Sequence, residues 1–336
     1  MDRYHRQILL PQVGPAGQAK LAAASVLLIG CGALGSPIAD YLCRAGVGRL
    51  TLLDRDVVEL TNLQRQTLYA EADVGQPKAA AAAGRLRAVN TSVRVDPLVT
   101  DLTADNIGRT VEQSAATLII DGTDNAETRY LVNDFAVKTG LPWIYGACVG
   151  TVGRVMAIEP NASPCLRCVF PEPPAPGEIE TCDTSGVLGP AAGVVASLQA
   201  TAVIRRILGD VAAPAMVTID VWSMRFRTID LSEGRRADCV CCGRRQFEFL
   251  DRHAPTSAVL CGRNSVQLRT HQGTEFSLER VEQLLSPRFA PKRTEYLLSV
   301  SPEPGIELTL FADGRAIVHG TADPICARAI LARYLG

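Results

Sequence analysis

The chain has 336 residues, enough to bury at least one large core, and this length suggests an enlarged α/β domain with a smaller domain appended. Its 34 Lys and Arg nearly balance 35 Asp and Glu, which gives neither a bulk basic field for nucleic acid nor an acidic excess typical of disorder. The charged start MDRYHRQILL lacks a signal-type apolar core, and no stretch approaches the roughly 20 apolar residues of a spanning helix. These features predict a soluble, cytoplasmic protein that does not enter membranes.

The first half of the chain alternates buried strands with helices. Pro11, Gly14 and Pro15 interrupt the first 20 residues, which we interpret as an N-terminal arm able to reach beyond its own domain. A buried strand at 25–30 is followed by a glycine turn, an apolar helix and a second strand, RLTLLD. The rhythm continues to the strand in TLIIDGTDN and predicts a Rossmann-like doubly wound sheet.

The second half has a different pattern. Past Trp143 come shorter strands, a proline-rich loop and a long apolar helix at 189–208, which together predict an antiparallel extension of the sheet. A composition shift after Arg244 marks a linker. We therefore predict a large α/β domain over 1–248 and a small C-terminal α+β module of unknown role over 249–336.

A G-x-G-x-x-G pattern lies directly between the first strand and its helix. Its residues are Gly30, Gly32, Ala33 and Gly35 with Cys31 and Leu34. Glycines let the backbone approach a phosphate at a helix N-terminus, and Asp54, about twenty residues on, can bond a ribose hydroxyl. The alternatives are a dehydrogenase, which would use the same loop, and glycines that merely permit a tight turn.

Cations near this loop favour ATP over a nicotinamide. Asn62, Gln64 and Arg65 follow the second strand, and Lys78 begins a helix further on. Two cations suit a triphosphate, whereas hydride transfer needs an uncharged slot. Either cation alone would be interpreted as a solvated surface charge.

Acidic residues follow the strand TLIID. Asp124 and Asn125 lie where an open α/β sheet binds ligands, and a carboxylate there can hold Mg²⁺ between phosphates. The alternative is an Asx-type helix cap by either residue.

The cysteines form two C-x-x-C pairs about 70 residues apart. Four thiolates at this spacing predict a tetrahedral Zn²⁺ site made by Cys165, Cys168, Cys239 and Cys242. Cys241 could exchange roles with Cys239, and a redox pair is the other alternative. Cys182 lies in a segment between the proline-rich loop and the long helix, where an acceptor thiol or an inert cysteine would both fit.

The motifs occur together in an order that resembles one family. RYHRQ, GCGALG, LTLLDRDVVELTNLQRQ, VGQPK, DGTDN, CLRC and CVCCG are similar to those of the bacterial E1-like adenylyltransferases of the MoeB/ThiF/HesA family. The resemblance covers roughly residues 1–245 and fails beyond about residue 250. Some relatives end in a sulfurtransferase domain, but we do not assign sulfur transfer to Cys261 in this short tail.

The resemblance implies residue roles. The glycine loop and Ala33 would contact the nucleotide and Asp54 the ribose; Asn62, Arg65 and Lys78 would face phosphates. Asp124 would hold Mg²⁺, and Arg6 would reach into the site of a second subunit, so that a homodimer is implied. Cys182 matches a loop cysteine that, in part of the family, forms a covalent adduct with the small protein that these enzymes activate.

The implied reaction is adenylation of the C-terminal Gly-Gly carboxylate of a small ubiquitin-like sulfur-carrier protein by ATP. A sulfur donor, a cysteine desulfurase or sulfurtransferase, would then displace AMP and leave a thiocarboxylate. Adenylation of a peptide or of a tRNA-nucleoside carboxylate, and a non-enzymatic scaffold, remain alternatives. Which pathway the carrier serves (molybdopterin, thiamin, cysteine or tRNA thiolation) is left open by the sequence.

Overall fold

The computed structural model describes residues 3–174, 182–211, 213–252, 257–260, 264–269 and 276–335, with the backbone alone at 182, 183 and 257–260. The chain divides into two compact units, 1–253 and 254–336. The predicted boundary at 248/249 lies just before this division, and Phe249 packs in the core of the first unit.

The first unit alternates helices and strands. Its helices are α1 (His5–Ile8), α2 (Gly14–Ala23), α3 (Gly35–Ala45), α4 (Lys78–Val89), α5 (Ile107–Ser114), α6 (Ala126–Thr139), α7 (Leu166–Val169), α8 (Cys182–Ser185) and α9 (Gly189–Leu208). Its strands are β1 (Ser25–Ile29), β2 (Arg49–Leu53), β3 (Arg94–Leu98), β4 (Leu118–Asp121), β5 (Trp143–Val149), β6 (Val152–Ile158), β7 (Ala215–Asp220) and β8 (Arg225–Asp230). Short 3₁₀ turns cover Leu60–Asn62 and Glu71–Asp73.

The eight strands form one sheet in the order β3-β2-β1-β4-β5-β6-β7-β8. The first five run parallel, and β6, β7 and β8 extend the sheet antiparallel. This confirms the predicted doubly wound sheet with its antiparallel extension. Because β2 and β4 flank β1 on opposite sides, the strand order reverses at β1, and ligands bind beyond the carboxyl ends of strands at such a switch point.

Apolar side chains cover both faces of the sheet. Val26 and Leu28 of β1 pack in one core with residues of α2, α3, α4 and α9, whereas Leu27 and Ile29 pack in a second core with α5 and α6. Successive residues of a strand point to opposite faces, so a continuous apolar run is what a sheet covered on both sides requires.

Helix α9 is the long apolar helix of the sequence. The sequence expectation that no stretch approaches a spanning helix is wrong, because among the described residues this helix alone is long and apolar enough by length and composition. That is weak evidence for a membrane span, because core helices pass the same test. Its buried face includes Val195 and Val203, which pack in the first core. The helix therefore has a structural place against the sheet.

The N-terminal segment packs on its own domain. The side chain of Gln7 donates a hydrogen bond to the carbonyl of Ala45 (3.0 Å), and Gln18 donates to the same carbonyl (3.0 Å). Helices α1 and α2 therefore lie against the C-terminal end of α3.

The second unit is a small α+β module. Its strands and helices, in chain order, are β9 (Ser257–Leu260), β10 (Ser265–Arg269), α10 (Leu278–Leu285), β11 (Lys292–Arg293), β12 (Leu297–Glu303), β13 (Ile306–Phe311), β14 (Arg315–His319) and α11 (Pro324–Leu335). The strands pair antiparallel in the order β11-β12-β13-β14-β10-β9. The two helices and one face of this sheet share an apolar core. Cys261 lies outside the described residues.

Candidate functional site

The glycine loop packs against the turn that follows β4. A Cβ on Gly30, whose φ is +88°, would lie 2.7 Å from the carbonyl oxygen of Gly122, and one on Gly35 would lie 1.8 Å from that of Gly30. A Cβ on Gly32 would meet only the amide of Gln66, at 3.7 Å. Gly30 and Gly35 are therefore required for close backbone packing, whereas Gly32 borders open space that a phosphate can enter.

Asp54 is tied to the glycine loop. Its Oδ2 accepts a hydrogen bond from the backbone N–H of Cys31 (2.6 Å), and its Oδ1 accepts one from the N–H of Asp56 (2.7 Å). Burial raises the pKa of the Asp54 carboxyl, and the nearby Lys78 opposes this rise. A carboxylate has about four lone-pair sites, so the bonds leave acceptor capacity for a sugar hydroxyl.

Lys78 is buried at the first position of α4. Its Nζ lies 3.2 Å from Oδ2 of Asp56, and it influences the charge of Asp54. The hydroxyl of Tyr69 donates to the carbonyl of Cys31 (2.8 Å) and lies 3.3 Å from that of Lys78. The lysine is thus fixed beside the glycine loop and two carboxylates.

The segment after the first 3₁₀ turn presents its side chains differently. Asn62 is buried, and its Oδ1 accepts a hydrogen bond from the N–H of Glu59 (3.2 Å). Arg65 donates to the carbonyl of Thr61 (2.9 Å), and among the described residues no carboxylate lies within ion-pair distance of it. Gln64 is exposed. Arg65 is therefore the cation of this segment that is available to an anion.

The turn after β4 separates two aspartates. Asp121 is buried and pairs with Arg129 (Nε–Oδ2, 2.9 Å), while its Oδ1 accepts hydrogen bonds from Thr123. Asp124 is exposed and, in the described parts of the chain, its carboxylate has no hydrogen bond or ion pair. Asn125 caps α6 by accepting a hydrogen bond from the N–H of Thr128 (3.2 Å). The side-chain oxygen of Asn125 thus has the helix-cap role, and Asp124 is the carboxylate open to a metal.

Four cysteines converge at the edge of the second core. The Sγ atoms of Cys165, Cys168, Cys239 and Cys242 all lie within 4.8 Å of one another. The separations are 3.9 Å for 165–168, 3.7 Å for 165–239 and 3.3 Å for 168–242. A tetrahedral zinc with bonds of about 2.3 Å holds its sulfurs about 3.8 Å apart. The cluster therefore fits a zinc site, and the thiols are free rather than disulfide-bonded.

Cys241 is excluded from this cluster. Its sulfur accepts a hydrogen bond from Nδ2 of Asn133 (3.3 Å), and Oδ1 of Asn133 accepts one from the N–H of Leu166 (2.8 Å). The open choice between Cys239 and Cys241 is thereby decided in favour of Cys239.

Cys182 is the first residue of the short helix α8. The structure describes the backbone of this residue but not its side chain. Shortly after it, Gly186 accepts a hydrogen bond from the N–H of Gly150 (2.9 Å), and Leu188 donates to the carbonyl of Gly150 (2.9 Å). These bonds place the segment beside the β5–β6 turn. Whether the thiol reacts stays a prediction.

Arg6 lies on α1, exposed. It pairs with no carboxylate in the described ranges, and its helix contacts α3 at the end opposite the glycine loop. The structure therefore does not bring Arg6 to the site of its own chain.

Sequence reasoning missed three side chains of this site. Asp56 pairs with Lys78, Arg129 fixes the β4 turn, and Gln66 is buried facing Gly32. Gln66 lies two residues after Gln64 in the same segment, so the pattern contained it, but only the turn geometry decides which glutamine points inward.

Comparison with known proteins agrees with the motifs. A model described as the ThiF family matches residues 4–241. The chain belongs to the ThiF family. This confirms the resemblance drawn from the sequence.

Two curated relatives of this ThiF-family chain differ in length. The sulfur carrier protein ThiS adenylyltransferase of Bacillus subtilis is 42% identical over 338 residues, covering 99% of both chains. The sulfur carrier protein adenylyltransferase of Thermus thermophilus is 42% identical over 250 residues, covering 72% of this chain and 91% of that protein. The C-terminal module is thus shared with the Bacillus protein, so the expectation that the resemblance fails beyond about residue 250 is wrong for this relative.

The fold is also found in solved structures. The crystal structure of E. coli MccB has a TM-score of 0.63 at 23% identity and covers 72% of each chain. This likeness supports the architecture of the first unit.

Proposed function

We propose that this chain is an adenylyltransferase that uses ATP and Mg²⁺ to adenylate the C-terminal carboxylate of a small sulfur-carrier protein ending in Gly-Gly. The observation that carries the proposal is one constellation at the switch point: an open glycine loop, a tethered acid, two fixed cations and one free carboxylate. Relatives that are 42% identical, one of them over the whole chain, are named as sulfur-carrier adenylyltransferases.

The nucleotide fits this constellation from end to end. Asp54 would accept the ribose hydroxyls, and the open backbone at Gly32 and Ala33 would border the phosphates. Lys78 and Arg65 would neutralise phosphate charge. A dehydrogenase would use the loop and Asp54 but would leave these cations without a role.

Magnesium would be held by Asp124. Mg²⁺ prefers oxygen ligands and keeps several waters, so one exposed carboxylate next to phosphates is a sufficient protein contribution. When bound, the ion would neutralise charge on the departing pyrophosphate. Asp121 is unsuited to this task because Arg129 and Thr123 already occupy its oxygens.

The chemistry needs positioning rather than proton transfer. A carboxylate oxygen of the carrier attacks the α-phosphorus of ATP, pyrophosphate leaves, and a mixed acyl-phosphate anhydride remains. The residues of this chain hold the two anions together against their repulsion. We propose that a sulfur donor, a cysteine desulfurase or sulfurtransferase, then attacks the carrier's acyl carbon and AMP leaves. Cys182 is a candidate for taking this acyl group as a thioester in place of the donor, again with AMP as the leaving group.

A protein substrate also has a surface to bind. Trp222 (79% exposed) and Met224 (77%) lie in the turn between β7 and β8, and Phe226 (59%) lies on β8, the edge strand of the sheet. From β4 to β8 is four strand spacings, about 19 Å, which about six extended residues can span. A carrier bound on this edge would deliver its tail to the β4 turn.

The four-cysteine cluster is proposed to bind Zn²⁺ as a structural ion. Its four thiols would fill all four coordination positions of the metal, and the proposed reaction needs none left open for substrate. We further propose a cytoplasmic homodimer.

ATP–pyrophosphate exchange tests the function. Purified protein is assayed with Mg²⁺ and a panel of small Gly-Gly-ending carriers. The variant Asp124→Asn is compared with a matched control, Glu127→Gln, which removes an exposed acid in the first turn of α6. We expect exchange that requires one carrier, falls about 100-fold or more in Asp124→Asn and is unchanged in Glu127→Gln. Exchange with a peptide or a nucleoside carboxylate, but with no carrier, would replace the proposed acceptor.

A further inference from the structure

Gln199 is a completely buried amide in the apolar face of α9. Its neighbours on this face, among them Val195 and Val203, are buried hydrophobic residues. Its Nε2 donates a hydrogen bond to the carbonyl of Asp121 (2.7 Å), and its Oε1 has no hydrogen-bond partner among the described residues. An amide in this position costs free energy that an apolar side chain of similar size would not.

The site is shaped around this side chain. A Cβ on Gly146 of β5 would lie 2.2 to 2.3 Å from the amide atoms of Gln199. Glycine at 146 thus provides the space that the amide occupies, and the pair Gly146–Gln199 is sterically matched.

The one hydrogen bond of Gln199 reaches the end of β4. From Asp121 the chain turns through Gly122 and Thr123 to Asp124, the carboxylate free for Mg²⁺. On the opposite face of the sheet, Arg129 of α6 bonds the carboxylate of Asp121 (2.9 Å) and the carbonyls of Thr123 and Gly146, the latter at 3.1 Å. The turn after β4 is therefore held by hydrogen bonds from both faces of the sheet. Arg129 of α6 makes them on one face, and Gln199 of α9 makes one on the other.

Helix α9 also packs against the segment that carries Arg65, on the other side of the site. At its first residue, a Cβ on Gly189 would lie 3.0 Å from the carbonyl of Gln64 and 3.6 Å from Cα of Arg65. Ten residues of helix, about 15 Å, separate Gly189 from Gln199. One rigid helix therefore contacts both the Arg65 segment and the β4 turn.

We propose that Gln199 is a positioning residue for adenylation, holding the end of β4 so that Asp124 and Arg65 keep the spacing that Mg²⁺–ATP requires. This proposal rests on the function proposed above, in which Asp124 holds the Mg²⁺ ion. The proposal predicts that loss of the amide raises the Mg²⁺ concentration needed for ATP binding. This effect should be separable from any change in melting temperature.

Gln199→Met tests the hydrogen bond at nearly constant volume. Calorimetry of ATP binding at graded Mg²⁺ is expected to show a half-saturating Mg²⁺ concentration about three- to tenfold higher than wild type. The KM for the carrier should stay unchanged. The control Ser197→Ala removes a hydroxyl of the same helix whose one hydrogen-bond partner in the described part of the chain is the helix's own Gly193 carbonyl (2.8 Å), and it should match wild type.

Gly146→Ala and the double variant Gly146→Ala/Gln199→Ala separate positioning from packing. The single change displaces the amide and should raise the Mg²⁺ requirement as Gln199→Met does. In the double variant the new methyl enters space that the amide has left, so the melting temperature should recover relative to Gly146→Ala while the Mg²⁺ requirement stays high. Recovery of both would reduce Gln199 to a packing role and overturn the proposal.

The two proposals fail differently. If wild type binds Mg²⁺–ATP and Asp124→Asn loses the Mg²⁺ dependence, but Gln199→Met equals wild type, the positioning role is refuted while the function stands. If Gln199→Met raises the Mg²⁺ requirement but no carrier supports exchange, the positioning role stands and the acceptor is wrong.

Discussion

Lys78 is a buried cation held between acids rather than a solvated surface charge. The sequence could place it at the start of a helix, but its partner Asp56 lies 22 residues earlier, and only the fold brings Nζ within 3.2 Å of that carboxylate. Burial of a lysine without an opposite charge is unfavourable, so the neighbouring acids offset the cost of placing this cation beside the glycine loop.

Removing this cation should change how stability depends on pH. Burial raises the pKa of Asp54 and Lys78 opposes the rise, so Lys78→Met moves this pKa further up. A carboxyl whose pKa is higher in the folded state binds more protons there, and stability falls as pH rises from the unfolded pKa through the folded one. We therefore expect the melting temperature of Lys78→Met, relative to wild type, to fall as the pH rises above about 4, the unfolded pKa of an aspartate.

The control for this prediction is Lys138→Met, which removes an exposed lysine from the last turn of α6. Its pH profile should parallel that of wild type. Parallel profiles for Lys78→Met as well would mean that Lys78 does not influence Asp54. ATP binding should also weaken in Lys78→Met and not in the control.

Helices and strands whose buried face is uniformly apolar can be predicted from the sequence. Those whose buried residues include polar ones, or whose residues are all exposed, cannot. Strand β1 and helix α9 were placed correctly because an apolar run or an apolar helical face gives a clear pattern. Helix α6 was not assigned, since its buried stretch from Tyr130 to Val137 includes Asn133 and Asp134 and hides the helical period. In β8 every residue is exposed, so its place depends on backbone pairing with β7 and not on a pattern of its side chains.

The buried polar pair of α6 has a structural task. Asn133 bonds the N–H of Leu166 and the sulfur of Cys241, and Asp134 accepts a hydrogen bond from the N–H of Phe249 (3.0 Å). One helix thus holds both segments that carry the cysteine cluster, which are 74 residues apart between Cys165 and Cys239. Sequence could pair the C-x-x-C motifs but could not name this helix.

Zinc content should separate Cys239 from Cys241. Cys239→Ser removes one sulfur of the four-thiol cluster, so the purified protein should contain far less than one zinc per chain and melt at a lower temperature. Cys241→Ser leaves the cluster intact and should keep one zinc, measured by elemental analysis. Equal zinc in both variants would contradict the ligand set.

At the scale of the whole molecule, the position of α1 bears on the role that the family resemblance implies for Arg6. Helix α3 is 11 residues long, about 16 Å, and the glycine loop precedes its first residue while Gln7 contacts its last. An arginine side chain at position 6 is thus separated by the length of a helix from the site of its own chain. The role in adenylation that the family resemblance implies for Arg6 would therefore need a site completed by a partner, which is our reason for proposing a dimer.

Mixed dimers test this arrangement. Arg6→Ala and Asp124→Asn are each expected to be inactive in ATP–pyrophosphate exchange. If Arg6 acts in the partner's site, a two-fold dimer of one subunit of each kind has one site with both residues intact. Unfolding and refolding an equal mixture should therefore restore about one quarter of wild-type activity, since about half of the dimers are mixed. A mixture of Lys78→Met with Asp124→Asn should recover nothing, because both residues come from the same subunit. No recovery in the first mixture would place Arg6 in its own chain's site or outside catalysis, and would remove the structural reason for proposing a dimer.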